Sequence, residues 1–564
     1  MTVPLPRKSR FEDGQLVVKT NLSITCDADL APAARWWADV TQHAFGVEAA
    51  ADADVALVLR HPGASEKSIP PSGYKLTIAD AQVTVLAGDL AGAFNAVQTL
   101  RQLAGPQAFR QAPLPRARLS LPKGTVSDEP GCAWRGVHLD VARHFMPPRD
   151  VRRFIDLAAM HHLNVVQLHL TDDQGWRFQS DRYPELTAIG GHRPTTAIGY
   201  SDATDHVPHG GYYTKDDLRE IVAFAHQRGV TVVPEIDLPG HVESALAAYP
   251  WLGTSKQPRS VRTTWGISEE VLDPGPNQVA FFCDVLDEVC DVFDSPFIHI
   301  GGDEVPLTLW QGNIAIEARA RALGLLDADE KPDVARLHGW FLAQLASHLR
   351  LLRRRAVVWD EALGPDLQSD VIVMSWRGLR PAALALEAGH DVVLAPEQYL
   401  YLNHRASDRA DEPVPVGYLR RTEDVYAFDT SLLAEVPGAD AFETAQGGID
   451  QVASPSTGRV LGMQAQVWTE FLDDARRVDY AAFPRLAAFS EAAWGSAPPN
   501  RGPGSPASAD FMARLASDHL PRLSAAGVEF RPLGGPLPWQ TRPGVLSDGT
   551  SDLAAEIEAA GGLL

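Results

Sequence analysis

The strongest constraint on the fold is a periodic one. From Trp134 onward, short apolar runs bounded by turn residues alternate with longer segments whose apolar residues recur at helical spacing. Eight of the runs read as buried strands, at 136–141, 165–170, 230–236, 297–301, 356–359, 371–375, 392–395 and 462–467. Helical segments lie between them at 149–162, 214–228, 277–293, 333–352 and 380–388, and another follows the last strand at 480–494. Eight buried strands with intervening helices predict an α/β fold, a (β/α)8 TIM barrel. The helix after the seventh strand is the least defined.

The remaining chain divides around that barrel. Residues 1–125 read as a small α/β accessory domain, with strands at 15–23, 54–59, 74–78 and 82–86 and a helix at 90–103. Pro113, Pro115 and Pro122 then punctuate a linker. The barrel takes 130–495. Residues 496–564 hold a helix at 510–525 and a tail rich in Gly and Pro that has no assignment.

Composition narrows the function classes. The net charge of −22 opposes the phosphate neutralisation that nucleic-acid binding needs, and it opposes adhesion to anionic membranes. A neutral substrate is compatible with it. No run approaches the ~20 apolar residues of a membrane span. The N-terminal MTVPLPRKSRFEDGQ has no apolar h-region, so the expected compartment is the cytoplasm, with export left open. The four cysteines lack metal spacing and read as core thiols.

The polar residues that stand out cluster just after the predicted strands, where the loops at a barrel's C-terminal face build active sites. The sharpest is His299-Ile-Gly-Gly-Asp-Glu304. Adjacent side chains of a regular strand point to opposite faces, so Asp303 and Glu304 can share one site only if the backbone bends, which the glycine pair permits. Two carboxylates in one pocket push their pKa values apart, leaving one as acid and one ionised. The plainer alternative is a solvated pair at a helix start. Asp172 and Asp173, preceded by His169, close another strand; turn capping is the alternative. Glu235, Asp237 and His241 form a third group whose spacing is too loose to indicate a metal site. Trp359, Trp376 and Trp468 follow three strands, where they can stack on the C–H faces of a sugar or simply pack the core. Arg135 can fork hydrogen bonds to hydroxyls, and Glu470 can accept from them. Carboxylates with a tryptophan wall on a barrel, without a phosphate loop, point to glycoside hydrolysis.

These motifs resemble glycoside hydrolase family 20, the β-N-acetylhexosaminidases. The resemblance is carried in order by Trp134-Arg-Gly, Leu139-Asp-Val-Ala-Arg-His-Phe145, His169-Leu-Thr-Asp-Asp-Gln-Gly-Trp-Arg177, Pro234-Glu-Ile-Asp-Leu-Pro-Gly-His241, His299-Ile-Gly-Gly-Asp-Glu304, Trp359-Asp-Glu361, Ser375-Trp376 and Gln464-Ala-Gln-Val-Trp-Thr-Glu470. It implies substrate-assisted retaining hydrolysis, in which the substrate's own acetamido oxygen attacks the anomeric carbon to give an oxazolinium ion. Glu304 then matches the general acid/base, and Asp303 the acid that orients the acetamido group. Tyr401 matches the tyrosine that hydrogen-bonds the acetamido oxygen. Arg135 and Glu470 match residues that bind outer hydroxyls. Trp359, Trp376 and Trp468 match the box around the acetamido methyl, and Asp172, Asp237 and His241 the supporting polar groups. One departure shows: Asn403 stands where the family usually has an aspartate facing outer hydroxyls.

The expectation is an exo-acting enzyme that removes terminal β-linked N-acetylglucosamine, with N-acetylgalactosamine left open. It needs no cofactor and no metal. Its partner is an oligosaccharide or glycoconjugate containing an N-acetylhexosamine, with no nucleic acid and no membrane, and a homodimer is left open. The alternatives are a disaccharide-releasing enzyme like a lacto-N-biosidase and a catalytically silent carbohydrate-binding barrel.

Overall fold

The computed structural model describes residues 1–199, 203–413, 417–436, 442–453 and 458–542. The last part of the predicted tail, 543–564, lies outside the described residues.

The N-terminal domain is a seven-stranded mixed sheet built from β1 (Lys8–Val18), β2 (Asn21–Cys26), β3 (Glu48–Ala49), β4 (Ala56–Arg60), β5 (Tyr74–Ile78), β6 (Gln82–Ala87) and β7 (Leu119–Asp128). Helices Ala31–Phe45 and Leu90–Leu103 belong to the same domain. The single strand expected over 15–23 is two strands, β1 and β2, which pair with different neighbours. The expected linker also differs: Pro122 sits inside β7, a full strand that runs beyond residue 125. Pro122 faces Gln15 of β1, whereas β7's pairing with β5 starts only at Gly124. The missing N–H therefore falls outside that second ladder, the kind of position a strand tolerates.

The barrel is formed by β8 (Trp134–Asp140), β9 (Val165–His169), β10 (Thr231–Leu238), β11 (Phe297–Gly301), β12 (Arg355–Trp359), β13 (Ile372–Ser375), β14 (Val392–Leu394) and β15 (Arg459–Ala465). Every neighbouring pair is parallel, and β14 pairs with β15 to close the ring. These strands are buried on both faces almost throughout, so they carry continuous apolar runs rather than alternation. The eight strands read from the sequence are these eight.

The helix expected over 480–494 is two, Ala475–Ala482 and Arg485–Trp494, divided at Phe483-Pro484, because proline cannot continue the hydrogen-bond ladder of a helix interior. After β14 the helices are short, Glu397–Leu400 and Thr422–Ala427, which accounts for the weak periodicity there. The C-terminal helical segment begins at Pro506 and docks back on the molecule: Arg514 pairs with the fully buried Glu491 at 2.6 Å and donates to the Thr2 carbonyl. Among the described residues no helix is long and apolar enough to cross a membrane.

Candidate active site

The C-terminal ends of the barrel strands surround a cavity of about 320 Å³ that Asp303, Glu304, His241, Trp376, Tyr401 and Glu470 help to line. That is the low end of the roughly 300–1,000 Å³ range of ligand pockets, a size suited to one sugar ring.

The bend needed to bring both carboxylates to one side is present. At the end of β11 and just past it, Gly301 and Gly302 have φ of +70° and +108°, and Glu304 itself has φ of +48°. Glycine adopts such angles without penalty; for glutamate the left-handed conformation costs of order 1–3 kcal/mol and persists only where the surroundings impose it. Gly301 is further constrained by space, since a Cβ there would lie 1.7 Å from Asp237 Oδ1. Gly301→Ala is therefore expected to displace the Asp237–Asp303 region and lower kcat by about 100-fold. Wild-type turnover in a purified, folded variant would contradict that placement.

The electrostatics separate the two acids. Burial pushes the Asp303 carboxyl up to about 7, helped by the charges of Glu304 and Glu361 and opposed by His241. Burial also works to raise Glu304, but the contact with His241 and the charges of His241 and Arg143 outweigh it and hold Glu304 below its ordinary range. In the open pocket the proton shared by the pair thus resides on Asp303.

His241 connects Glu304 to a buried chain of charges. Its Nε2 lies 3.3 Å from Glu304 Oε2, and its Nδ1 3.3 Å from Asp172 Oδ1. Asp172 accepts from His169 Nε2 at 2.8 Å and meets Arg143 Nη2 at 2.8 Å. His169 Nδ1 in turn lies 2.8 Å from Glu235, which also accepts from Gln167 and from the Trp359 indole. Desolvation works against charge on both histidines, yet the carboxylates around them raise both pKa values well above the ordinary range. Asp237 is 1% exposed, and neither carboxylate oxygen has a hydrogen-bond partner among the described residues. Burial, and then the Asp303 charge, raise it well above the usual carboxylate range.

Four sets of three histidine and carboxylate side chains bring ligand atoms within 4.8 Å of one another, and each contains His169 or His241. The carboxylates around both imidazoles raise their pKa values well above the ordinary range, which opposes the loss of the proton that metal ligation requires.

Four expected substrate-binding residues stand outside the cavity lining: Asp172 and Asp237 are buried behind it in the charge network, and Arg135 and Trp359 stand elsewhere. Arg135 is the second residue of β8, at the opposite end of the barrel from the cavity. Its guanidinium donates to the carbonyls of His162 and Cys132 and stacks over Trp494, so it is a floor anchor and not a sugar contact. The arginine in the cavity is Arg143, three residues past the end of β8. Asp140 places it: Oδ1 accepts the N–H groups of Ala142 and Arg143, while Oδ2 accepts from Thr469 in the loop after β15. Arg143 lies within a quoted motif, and its position past a strand's C-terminal end is the signal that separates it from Arg135. Trp359 is the second displacement. It is 1% exposed and sits beneath the cavity, its ring 6.1 Å from that of Trp468, so it supports the wall from below. Trp376 and Trp468 line the cavity directly, with Tyr401 stacked near Trp376 at 22° and 6.3 Å. Tyr401 is held where β14's extension bridges to Gln466. Burial raises Glu470, with Arg143 opposing. Gln174, Trp265, Glu397, His404 and Phe471 also line the cavity and were not anticipated. Gln174 lies in the His169–Arg177 motif; Glu397 opens a helix of four residues, too short for a periodic signal, and the others come from loops.

Comparison with known proteins agrees with this geometry. The sequence model for "Glycosyl hydrolase family 20, catalytic domain" matches residues 132–497, and that for "Glycosyl hydrolase family 20, domain 2" matches 1–129. A β-hexosaminidase of Porphyromonas gingivalis is 34% identical over 97% of this chain, which spans 65% of that protein's length. A β-N-acetylhexosaminidase of Cellulomonas fimi is 33% identical, covering 81% of this chain and 79% of its own. Among solved structures, an exo β-N-acetylglucosaminidase of Vibrio harveyi in complex with N-acetylglucosamine superimposes with a TM-score of 0.78 at 30% identity, over 94% of this chain and 78% of that one. The Streptomyces plicatus N-acetyl-β-hexosaminidase gives 0.73 at 28% identity, over 95% and 97%. With both domains matched and the strand-end acids in one cavity, the chain belongs to glycosyl hydrolase family 20.

Proposed function

We propose that this chain is an exo-acting retaining β-N-acetylhexosaminidase that hydrolyses terminal β-linked N-acetylglucosamine with assistance from the substrate's acetamido group. The observation that carries the reading is the convergence of Asp303 and Glu304 on one cavity, with His241 3.3 Å from Glu304 and an aromatic wall beside them.

The steps follow from the residues. The acetamido N–H donates to Asp303, whose Oδ1 is buried without a partner among the described residues, and this favours the ionised form of Asp303. The proton resides instead on Glu304, next to the glycosidic oxygen. The acetamido oxygen attacks C1, the C1–O bond breaks, and Glu304 gives its proton to the departing oxygen. The resulting oxazolinium carries positive charge toward Asp303, an interaction that grows only as the reaction proceeds and so accelerates it. Glu304, now a carboxylate, takes a proton from water as that water attacks C1 from the face the leaving group left. The acetamido group is restored, and the β configuration with it. Arg143 offers an Nε–H without a hydrogen-bond partner among the described residues, and Glu470 offers an acceptor, which suits them to the sugar's hydroxyls.

The cavity volume favours one residue over a disaccharide, and Trp265 and Phe471 stand in its lining with their rings 6.2 Å apart. A stable thiazoline mimic of the oxazolinium is expected to inhibit hydrolysis of an aryl β-N-acetylglucosaminide competitively, at least 100-fold more tightly than substrate binds. Proton NMR of the reaction is expected to show the β-anomer of the free sugar first. Insensitivity to the thiazoline, or initial release of the α-anomer, would overturn the assisted mechanism.

A further inference from the structure

Glu397 lines the cavity, and nothing in the steps above uses it. It opens the short helix that follows β14, its backbone N–H donating to the Trp376 carbonyl. Its side chain is about one quarter exposed, so it stands at the rim rather than in bulk solvent. His404 orients it. The Tyr418 N–H donates to His404 Nδ1, which leaves the ring proton on Nε2, and Nε2 lies 3.3 Å from Glu397 Oε1. His404 is 5% exposed and lines the same cavity. The buried His404 ring thus stands behind one Glu397 oxygen and leaves the other without a hydrogen-bond partner among the described residues.

The same cavity lining holds a second acceptor: Asn403 Oδ1 is buried and has no hydrogen-bond partner among the described residues. Acceptors in a lining call for a ligand that donates, and a sugar edge rich in hydroxyls does so. The Glu397 charge also reaches Tyr401: after burial, it is the next cause that raises that hydroxyl's pKa.

Resting on the hexosaminidase reading, we infer that Glu397, positioned by His404, is a substrate-contacting, specificity-determining residue whose carboxylate accepts a hydrogen bond from an outer hydroxyl, O4 or O6, of the bound sugar. Hydrogen bonds to charged groups are the strong class, so the loss of this one is felt in binding and in the transition state.

The test compares wild type with Glu397→Ala and Glu397→Gln on an aryl β-N-acetylglucosaminide and on its 4-deoxy and 6-deoxy analogues. Turnover of the parent by wild type checks the underlying activity independently. On the parent, Glu397→Ala is expected to lower kcat/KM roughly 10- to 100-fold, with Glu397→Gln intermediate. On the analogue that lacks the contacted hydroxyl, wild type and Glu397→Ala are expected to agree within about twofold, and on the other analogue the full loss persists. An equal loss on all three substrates, or no loss on the parent, would overturn the assignment while leaving the hexosaminidase reading intact.

Discussion

Glu304→Gln is expected to abolish most hydrolysis of substrates with poor leaving groups while sparing the fold. General acid–base transfer contributes about 10²–10⁴-fold, and Glu304 is asked to supply it twice, as acid in the first step and as base in the second. Chitobiose, whose leaving group is a sugar hydroxyl, should therefore lose the upper end of that range. An aryl glycoside with an acidic phenol needs little protonation, so its first step should be nearly intact and the oxazolinium should form but hydrolyse slowly. Azide attacks without a general base, so it is expected to restore turnover of the aryl substrate and to yield the β-glycosyl azide. The amide also removes the negative partner that His241 Nε2 faces at 3.3 Å, without changing the side chain's volume. Parallel thermal melts of both proteins separate a catalytic loss from a folding one. Equal turnover of chitobiose by variant and wild type would remove Glu304 from the mechanism, and loss without azide rescue would remove its role as base.

The sequence and the structure diverge in an instructive pattern. All eight barrel strands were legible because a strand buried on both faces must be apolar throughout, and such a run is visible without any neighbour. The strand-end carboxylates were legible because an acid closing an apolar run is conspicuous and because Gly301-Gly302 marks a bend. Arg135 misled for a physical reason. It lies in the same sequence neighbourhood as Arg143, but the two sit at opposite ends of β8, and end matters more than proximity in a parallel barrel. Trp359 and Trp468 likewise both follow strands, yet one is a floor and the other a wall, a distinction set by side-chain direction in three dimensions. The Glu397–His404 contact depends on Tyr418 arriving from a separate loop, so no spacing rule could have shown it. In the N-terminal domain, proline content suggested a linker where β7 runs, because the pairing that tolerates Pro122 is visible only once β1 and β5 are in place.

Asp303→Asn is expected to lower kcat/KM by about 10²–10³-fold and to change the pH profile in a direction that identifies its role. The magnitude is that of removing one preorganised electrostatic partner of a developing charge. Asparagine can still accept from the acetamido N–H, so ground-state binding should change less than kcat. The pH argument starts from the pair as one unit. The reactive arrangement, Asp303 ionised and Glu304 protonated, carries the same single proton as the resting arrangement with the proton on Asp303. Activity in kcat/KM therefore requires one proton on the pair. It is lost on the acid side as the pair takes a second proton, and on the alkaline side as the only proton leaves. Because burial raises Asp303 to about 7, the alkaline limb of the wild type is expected near pH 7. With asparagine in place, the only proton left is that of Glu304, which His241 holds below its ordinary range, so the alkaline limb should move to lower pH. Thiazoline affinity should fall in proportion to kcat/KM, because the inhibitor carries the charge distribution Asp303 is arranged to meet. A rate loss with the alkaline limb unmoved would show that Asp303 shapes the pocket without sharing the catalytic proton. Undiminished thiazoline binding would show that its charge does not face the oxazolinium.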